Sequence, residues 1–173
     1  MCGISSENII AIGTLLLVIA TIAMAWRQIK YAKKGMFVST LNIYLEKFDS
    51  QNMLWSRKKL ADTLTTEHKQ SDIKETVIDF FESLGLLLRR KALDTEMIWS
   101  SFGYHTIRWW VFCKEYIETE RLLEKDKTIY NEFEFLYNKM IKMEAKKRKV
   151  KIESLKLTEE DKDVFIFFEK RLV

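Results

Sequence analysis

The sequence predicts an all-α protein: a single N-terminal transmembrane helix followed by a cytosolic helical bundle. Three observations predict it. The 173 residues include no proline and only five glycines, too little turn chemistry for a strand-rich architecture. Long segments dense in Leu, Glu, Lys and Met run with few breakers, which favours helix. The eighteen residues from Ile9 to Trp26 carry no charge, enough for a helix of about 27 Å against a hydrocarbon core of roughly 30 Å.

Nine of those eighteen residues are Leu, Ile or Val, which together supply about −3 to −5 kcal/mol of insertion free energy. A cleavable signal peptide wants cations ahead of its apolar run, but Met1 to Asn8 holds only Glu7. A lipoprotein signal places cysteine after the run, whereas Cys2 precedes it. Trp26 and Tyr31 mark the exit, with Arg27, Lys30, Lys33 and Lys34 beside them, the interface arrangement of a span. The cation bias predicts a single-pass protein of the cell inner membrane, with the N-terminus outside and the C-terminal domain cytoplasmic. The chain then divides into an anchor with its basic juxtamembrane segment, residues 1–34, and a cytosolic helical domain, residues 35–173. Thr21 with Ala25, and Gly13, permit the spans to associate.

After a break at Gly35, Met36, Leu41, Tyr44, Leu45 and Phe48 make one helical stripe. Asp49 or Ser50 caps the next helix, which carries Met53, Leu54, Leu60 and Leu64. "TTEHKQSD" is the most polar interval and reads as a loop. Asp72 with Glu75 forms a capping pattern ahead of Ile73, Val77, Phe80, Phe81, Leu84, Leu87 and Leu88. Asp94 starts an aromatic helix with Glu96 in its first turn; its face runs Ile98, Phe102, His105, Trp109, Phe112 and Tyr116. Aromatics over so much of its circumference put this helix at the centre of the bundle or against a partner. From Thr128 a further helix shows Ile129, Phe133, Leu136, Met140 and Met143. Val150 to Leu157 reads as an extended linker or short strand, and Thr158 with Asp161 caps a final helix.

Chemistry-bearing patterns are few. Only His68 and His105 exist, and neither has a carboxylate at a helpful offset. There is no Gly-rich phosphate loop, nucleophile elbow or HExxH, and no ligand spacing for a metal. The expectation is a protein that is not an enzyme and needs no cofactor or metal. Cys113 reads as a buried thiol. His105 reads either as a core histidine or, with Arg108, Trp109 and the Arg89, Arg90 and Lys91 cluster, as part of an anion or nucleotide site. Arg57 and Glu82 are lone charges on apolar helix faces and predict a buried ion pair between their helices; Arg121 and Glu134 predict another. Net charge is only +4, so a general polyanion binder is not implied. Lys146, Lys147, Arg148, Lys149 and Lys151 nevertheless form a tract suited to a solvated helix end, anionic lipid or nucleic acid.

"YLEKFDSQNMLWSRKKLADTL", "VIDFFESLGLLLRRKALDTEMIWSSFG", "RWW", "YIETER" and "YNEFEFLYNKM" together resemble a bacterial family recorded only as a domain of unknown function. The resemblance covers roughly Met36 to Met143, with "FFESLGLLLRRKALD" its most distinctive block. It implies one N-terminal span, a cytosolic helical domain and a setting in phage defence beside nucleotide-signalling systems. Two roles follow. One is an antiviral defence effector whose domain senses an anionic signal, such as a cyclic oligonucleotide, and self-associates as a homo-oligomer at the membrane. The other is a passive anchored adaptor that recruits a protein partner without sensing a ligand.

Overall fold

The computed structural model describes residues 6–65 and 72–172, with side chains over 10–64 and 75–172. Cys2, the expected loop around His68 and the Asp72 side chain lie outside the described residues. Among them every regular element is helical: α1 (Ser6–Phe48), α2 (Gln51–Thr65), α3 (Asp72–Arg89), α4 (Thr95–Leu123), α5 (Asn131–Arg148), a 3-10 turn (Ile152–Leu155) and α6 (Glu159–Glu169). The chain divides into two compact units, Met1–Ser39 and Thr40–Val173.

In the first unit, every side chain from Ile10 to Met36 is exposed. One helix is long and apolar enough to cross a membrane, and none of its most apolar eighteen-residue window is buried. The core helix of a folded domain has its apolar stretch mostly covered by protein, and this window is uncovered. Thr14 and Thr21 donate their hydroxyls to the Ile10 and Leu17 carbonyls one turn back, which removes two unpaired donors from the apolar stretch. The expected break at Gly35 does not occur: α1 runs through it. A single glycine costs a helix only about 1 kcal/mol relative to alanine, and good helix formers flank it on both sides.

The second unit is the bundle. Ser50 begins α2, accepting a bond from the Met53 N–H. Asp94 caps α4 by accepting from the Glu96 and Met97 N–H groups, and Thr158 and Asp161 form a reciprocal capping box on α6. The interval expected as a linker or strand is instead the 3-10 turn flanked by extended residues. The core is aromatic. Phe48 meets Phe80 at 5.1 Å and Phe102 at 5.5 Å between ring centroids, and Phe81 stacks on Phe133 at 5.0 Å. Trp109 and Trp110 are buried, so much of the aromatic surface of α4 packs into the core.

Helices α3 and α5 approach unusually closely. Gly85 on α3 is the reason: a Cβ there would collide with the Glu132 carbonyl of α5. Three residues earlier, Glu82 accepts the Glu132 and Phe133 N–H groups at 3.2 and 2.6 Å. It thereby caps α5 from across the interface, a task that Tyr130 at the N-cap position does not perform. Burial pushes the Glu82 carboxyl above its ordinary range, despite the two donors. The predicted Arg57–Glu82 pair is therefore wrong, because Glu82 faces a helix N-terminus. The Arg121–Glu134 pair is present at 2.8 Å, and Arg121 also donates to the Ile129 carbonyl.

Gly85→Ala should destabilise the bundle by about 1–3 kcal/mol through overpacking, read from the urea midpoint of the protein in detergent. Gly35→Ala, with open space around it, should leave that midpoint unchanged or higher.

Candidate functional site

The partner of Arg57 is Glu169 of α6. The guanidinium grips the carboxylate with two parallel bonds of 2.9 and 2.8 Å, and both residues are buried. The fork geometry is what makes arginine suited to a buried carboxylate. The Phe48 ring lies 4.0 Å beneath the guanidinium carbon, and His105 Nδ1 sits 3.3 Å from Glu169 Oε1. Burial is the largest influence on the Glu169 carboxyl and raises its pKa. The nearby His105 and the two hydrogen bonds and charge of Arg57 together outweigh it, so the group titrates below its ordinary value. These residues floor a cavity of about 370 Å³ whose walls include Tyr104, Phe165 and Phe168.

A second cavity, of about 420 Å³, lies between α4, α5 and the connection into α6. Arg108 enters it from α4, lying flat on Tyr104 with its guanidinium carbon 3.5 Å from the ring centroid. Its Nη1 reaches only the Tyr104 carbonyl at 3.3 Å, and its buried Nε has no hydrogen-bond partner. Trp99, Arg148 and Lys156 line the same space. The two acids there are already engaged. Glu144 accepts from Trp99 Nε1 at 2.7 Å and pairs with Arg148. Asp161 accepts from the Thr158 N–H and hydroxyl, bonds that hold its carboxyl below the usual range, with Arg108 and Arg148 adding to the effect.

The six residues expected to form one anion site are distributed differently. Arg89 is paired with Glu132 and lies 4.1 Å over Phe135. Lys91 sits at positive φ of 56°, where the Lys91 and Ala92 N–H groups bond back to Leu88 and Leu87 and close α3. Arg90 is exposed beside it. His105 borders the first cavity and Arg108 the second. Trp109 is fully buried, with Phe165 edge-on at 5.2 Å, so its ring is core and not a platform for a ligand.

The basic tract is also a helix end. Lys149 takes the positive φ of the α5 C-cap, Arg148 pairs with Glu144 and Lys147 with Glu96. Lys146 and Lys151 are exposed. Among the described residues no group of three His, Cys, Asp or Glu side chains is placed to hold a metal ion. Glu169 escaped sequence reasoning, although it bears the signal that marked Arg57, a charge with apolar neighbours, here after the run "VFIFF". Trp99, Tyr104, Lys156 and Asp161 had no such signal, since their meeting depends on the path of the chain after α5.

A family model described as Domain of unknown function (DUF4760) matches residues 8–140. The match takes in α1 as well as the stretch from Met36 that carried the resemblance. No curated protein and no solved structure matches the chain.

Glu169→Gln removes the countercharge from a buried guanidinium and should cost about 3–5 kcal/mol, read by chemical denaturation at pH 7. Because the folded carboxyl titrates below its unfolded value near 4.5, its contribution is complete above that pH. It disappears as pH falls through the lower folded value, and this acid-dependent loss should be absent from Glu169→Gln.

Proposed function

Since the chain belongs to the DUF4760 family of unknown function, its role rests on its geometry, and we propose a membrane-anchored sensor and effector. Helix α1 tethers the chain to the inner membrane by a single span, N-terminus outside. The cations from Arg27 to Lys34 hold the bundle on the cytoplasmic side. The bundle binds an anionic signal and self-associates, and the gathered spans disturb the bilayer. The setting is antiviral defence, as the family resemblance implies.

One observation carries this reading: the same chain joins an exposed apolar helical stretch to a domain with a cavity lined by Arg108, Arg148 and Lys156. A ligand with different affinity for separate and assembled copies shifts the population between them by that difference. Nothing in the described residues asks for bond-making chemistry to reach this outcome.

A second reading, the passive adaptor, has its own support. Phe167 and Phe168 stand exposed on α6, Phe168 at 61%, and such rings serve as anchors for a protein partner. Trp109 and Trp110 of α4 are not available for that purpose, because both are buried in the core.

The tether is tested first. Leu17→Arg together with Val18→Arg adds about 5–7 kcal/mol at the centre of the span, more than the run supplies, and should move the chain from the carbonate-washed membrane pellet to the supernatant. Overproduction of the unaltered chain should depolarise cells and slow growth, while the double variant should not. A stable co-purifying protein with undisturbed membrane potential would instead favour the adaptor.

A further inference from the structure

We infer that the cavity between α4, α5 and the α5–α6 connection binds a small phosphate ester with a planar ring, its phosphate on Arg108 and Lys156. This names a ligand class for the sensing role above and rests on that reading.

The argument begins with donors. A guanidinium carries five N–H groups. That of Arg108 lines the cavity and makes one long bond to a carbonyl through Nη1; its Nε is shut off from solvent, so a ligand would meet the Nη groups. The neighbouring acids are largely engaged already. Both Glu144 oxygens are taken by Trp99 and Arg148, and one Asp161 oxygen is fixed by Thr158. Lys156 lines the cavity and has no acidic partner among the described residues. The site therefore holds more cationic donors than anionic acceptors. An anion of several oxygens corrects that imbalance, and phosphate suits a forked guanidinium.

The walls supply the rest. Tyr104 is half exposed and already lies flat beneath Arg108, and the Trp99 ring borders the same space. Aromatic faces beside a cation favour a planar ring attached to the phosphate. A volume of about 420 Å³ falls in the range of small-molecule sites and suits one ring with one phosphate.

The test uses the full chain in detergent micelles near 0.15 M salt. Calorimetric titrations compare AMP, GMP, FMN and pyridoxal phosphate with adenosine and inorganic phosphate. At least one ring phosphate should bind saturably, phosphate alone more weakly, and adenosine weakest. Arg108→Gln should weaken that ligand at least about tenfold, as loss of a charge-assisted bond implies. The exposed Lys156→Gln, which threatens folding least, should weaken it severalfold, and Arg90→Gln should leave it unchanged. Absence of saturable binding by all four ring phosphates overturns the inference, as does binding indifferent to both Arg108→Gln and Lys156→Gln. Binding without a change in assembly mass would leave the site standing and remove the sensing role. Assembly without binding would do the reverse.

Discussion

The bundle depends on a buried charge that must be answered. Arg57 lies inside the protein, where an isolated guanidinium would cost several kcal/mol in lost hydration. Glu169 answers it through two short bonds, Phe48 covers one face, and His105 Nδ1 stands 3.3 Å from the carboxylate oxygen that Arg57 Nη2 bonds. Three helices are thereby drawn together: α2 brings the cation, α6 the anion and α4 the imidazole. Hydrophobic burial contributes to register, since Phe165 is buried against Trp109 and Phe112, but it does not specify a charge partner. The forked bond cannot slide. It fixes where α6 sits, and with it the path of the connection from α5.

That constraint reaches beyond the segment shared with the family. The match ends at residue 140, whereas Glu169 lies almost thirty residues later. An eleven-residue helix such as α6 is too short to persist alone in water, so its stability comes from the seat it occupies. The dependence is mutual: the seat needs a carboxylate, and the helix needs the seat. Helix α5 is handled in a comparable way. Its own N-cap residue provides no side-chain bond, and the carboxylate of Glu82 on α3 supplies it. In both places a local deficiency is corrected by a distant acid.

This explains which features were legible in the sequence. Asp94, Thr158 and Asp161 act within a few residues of their own position, so spacing alone reveals them. The exposed apolar helix is equally local, a matter of composition and length. Arg121 and Glu134 lie on either side of one short connection, which limits the partners each can reach. Arg57 and Glu82 are different. Periodicity shows that both face inward, but it carries no information about which helix lies opposite. Their pairing was a reasonable inference from two inward charges and failed because the third, Glu169, was not counted among them. Gly35 misled for a related reason, since a helix breaker acts only where neighbouring residues do not outweigh it. The basic clusters were legible as helix ends: Lys91 and Lys149 lie where helices stop, and cations gather at helix C-termini because of the dipole.

The same distinction separates cations that are available to a ligand from those that are not. Arg89, Lys147 and Arg148 each have a carboxylate partner, so a new anion must compete with a bond already made. Among the described residues Arg108 forms no ion pair and gives its Nη1 only to the Tyr104 carbonyl. Its cavity is walled by Ser154 to Leu157 and by Asp161, the residues that lead into α6 and form its first turn. The wall of the cavity and the stem of the helix carrying Glu169 are thus one piece of chain. Whatever fills the cavity touches the segment that holds Glu169 against Arg57, and any contact that differs between a seated and a loosened α6 must shift the balance between them. The two polar centres of the bundle are therefore linked by a short covalent path, from the cavity wall through α6 to Glu169.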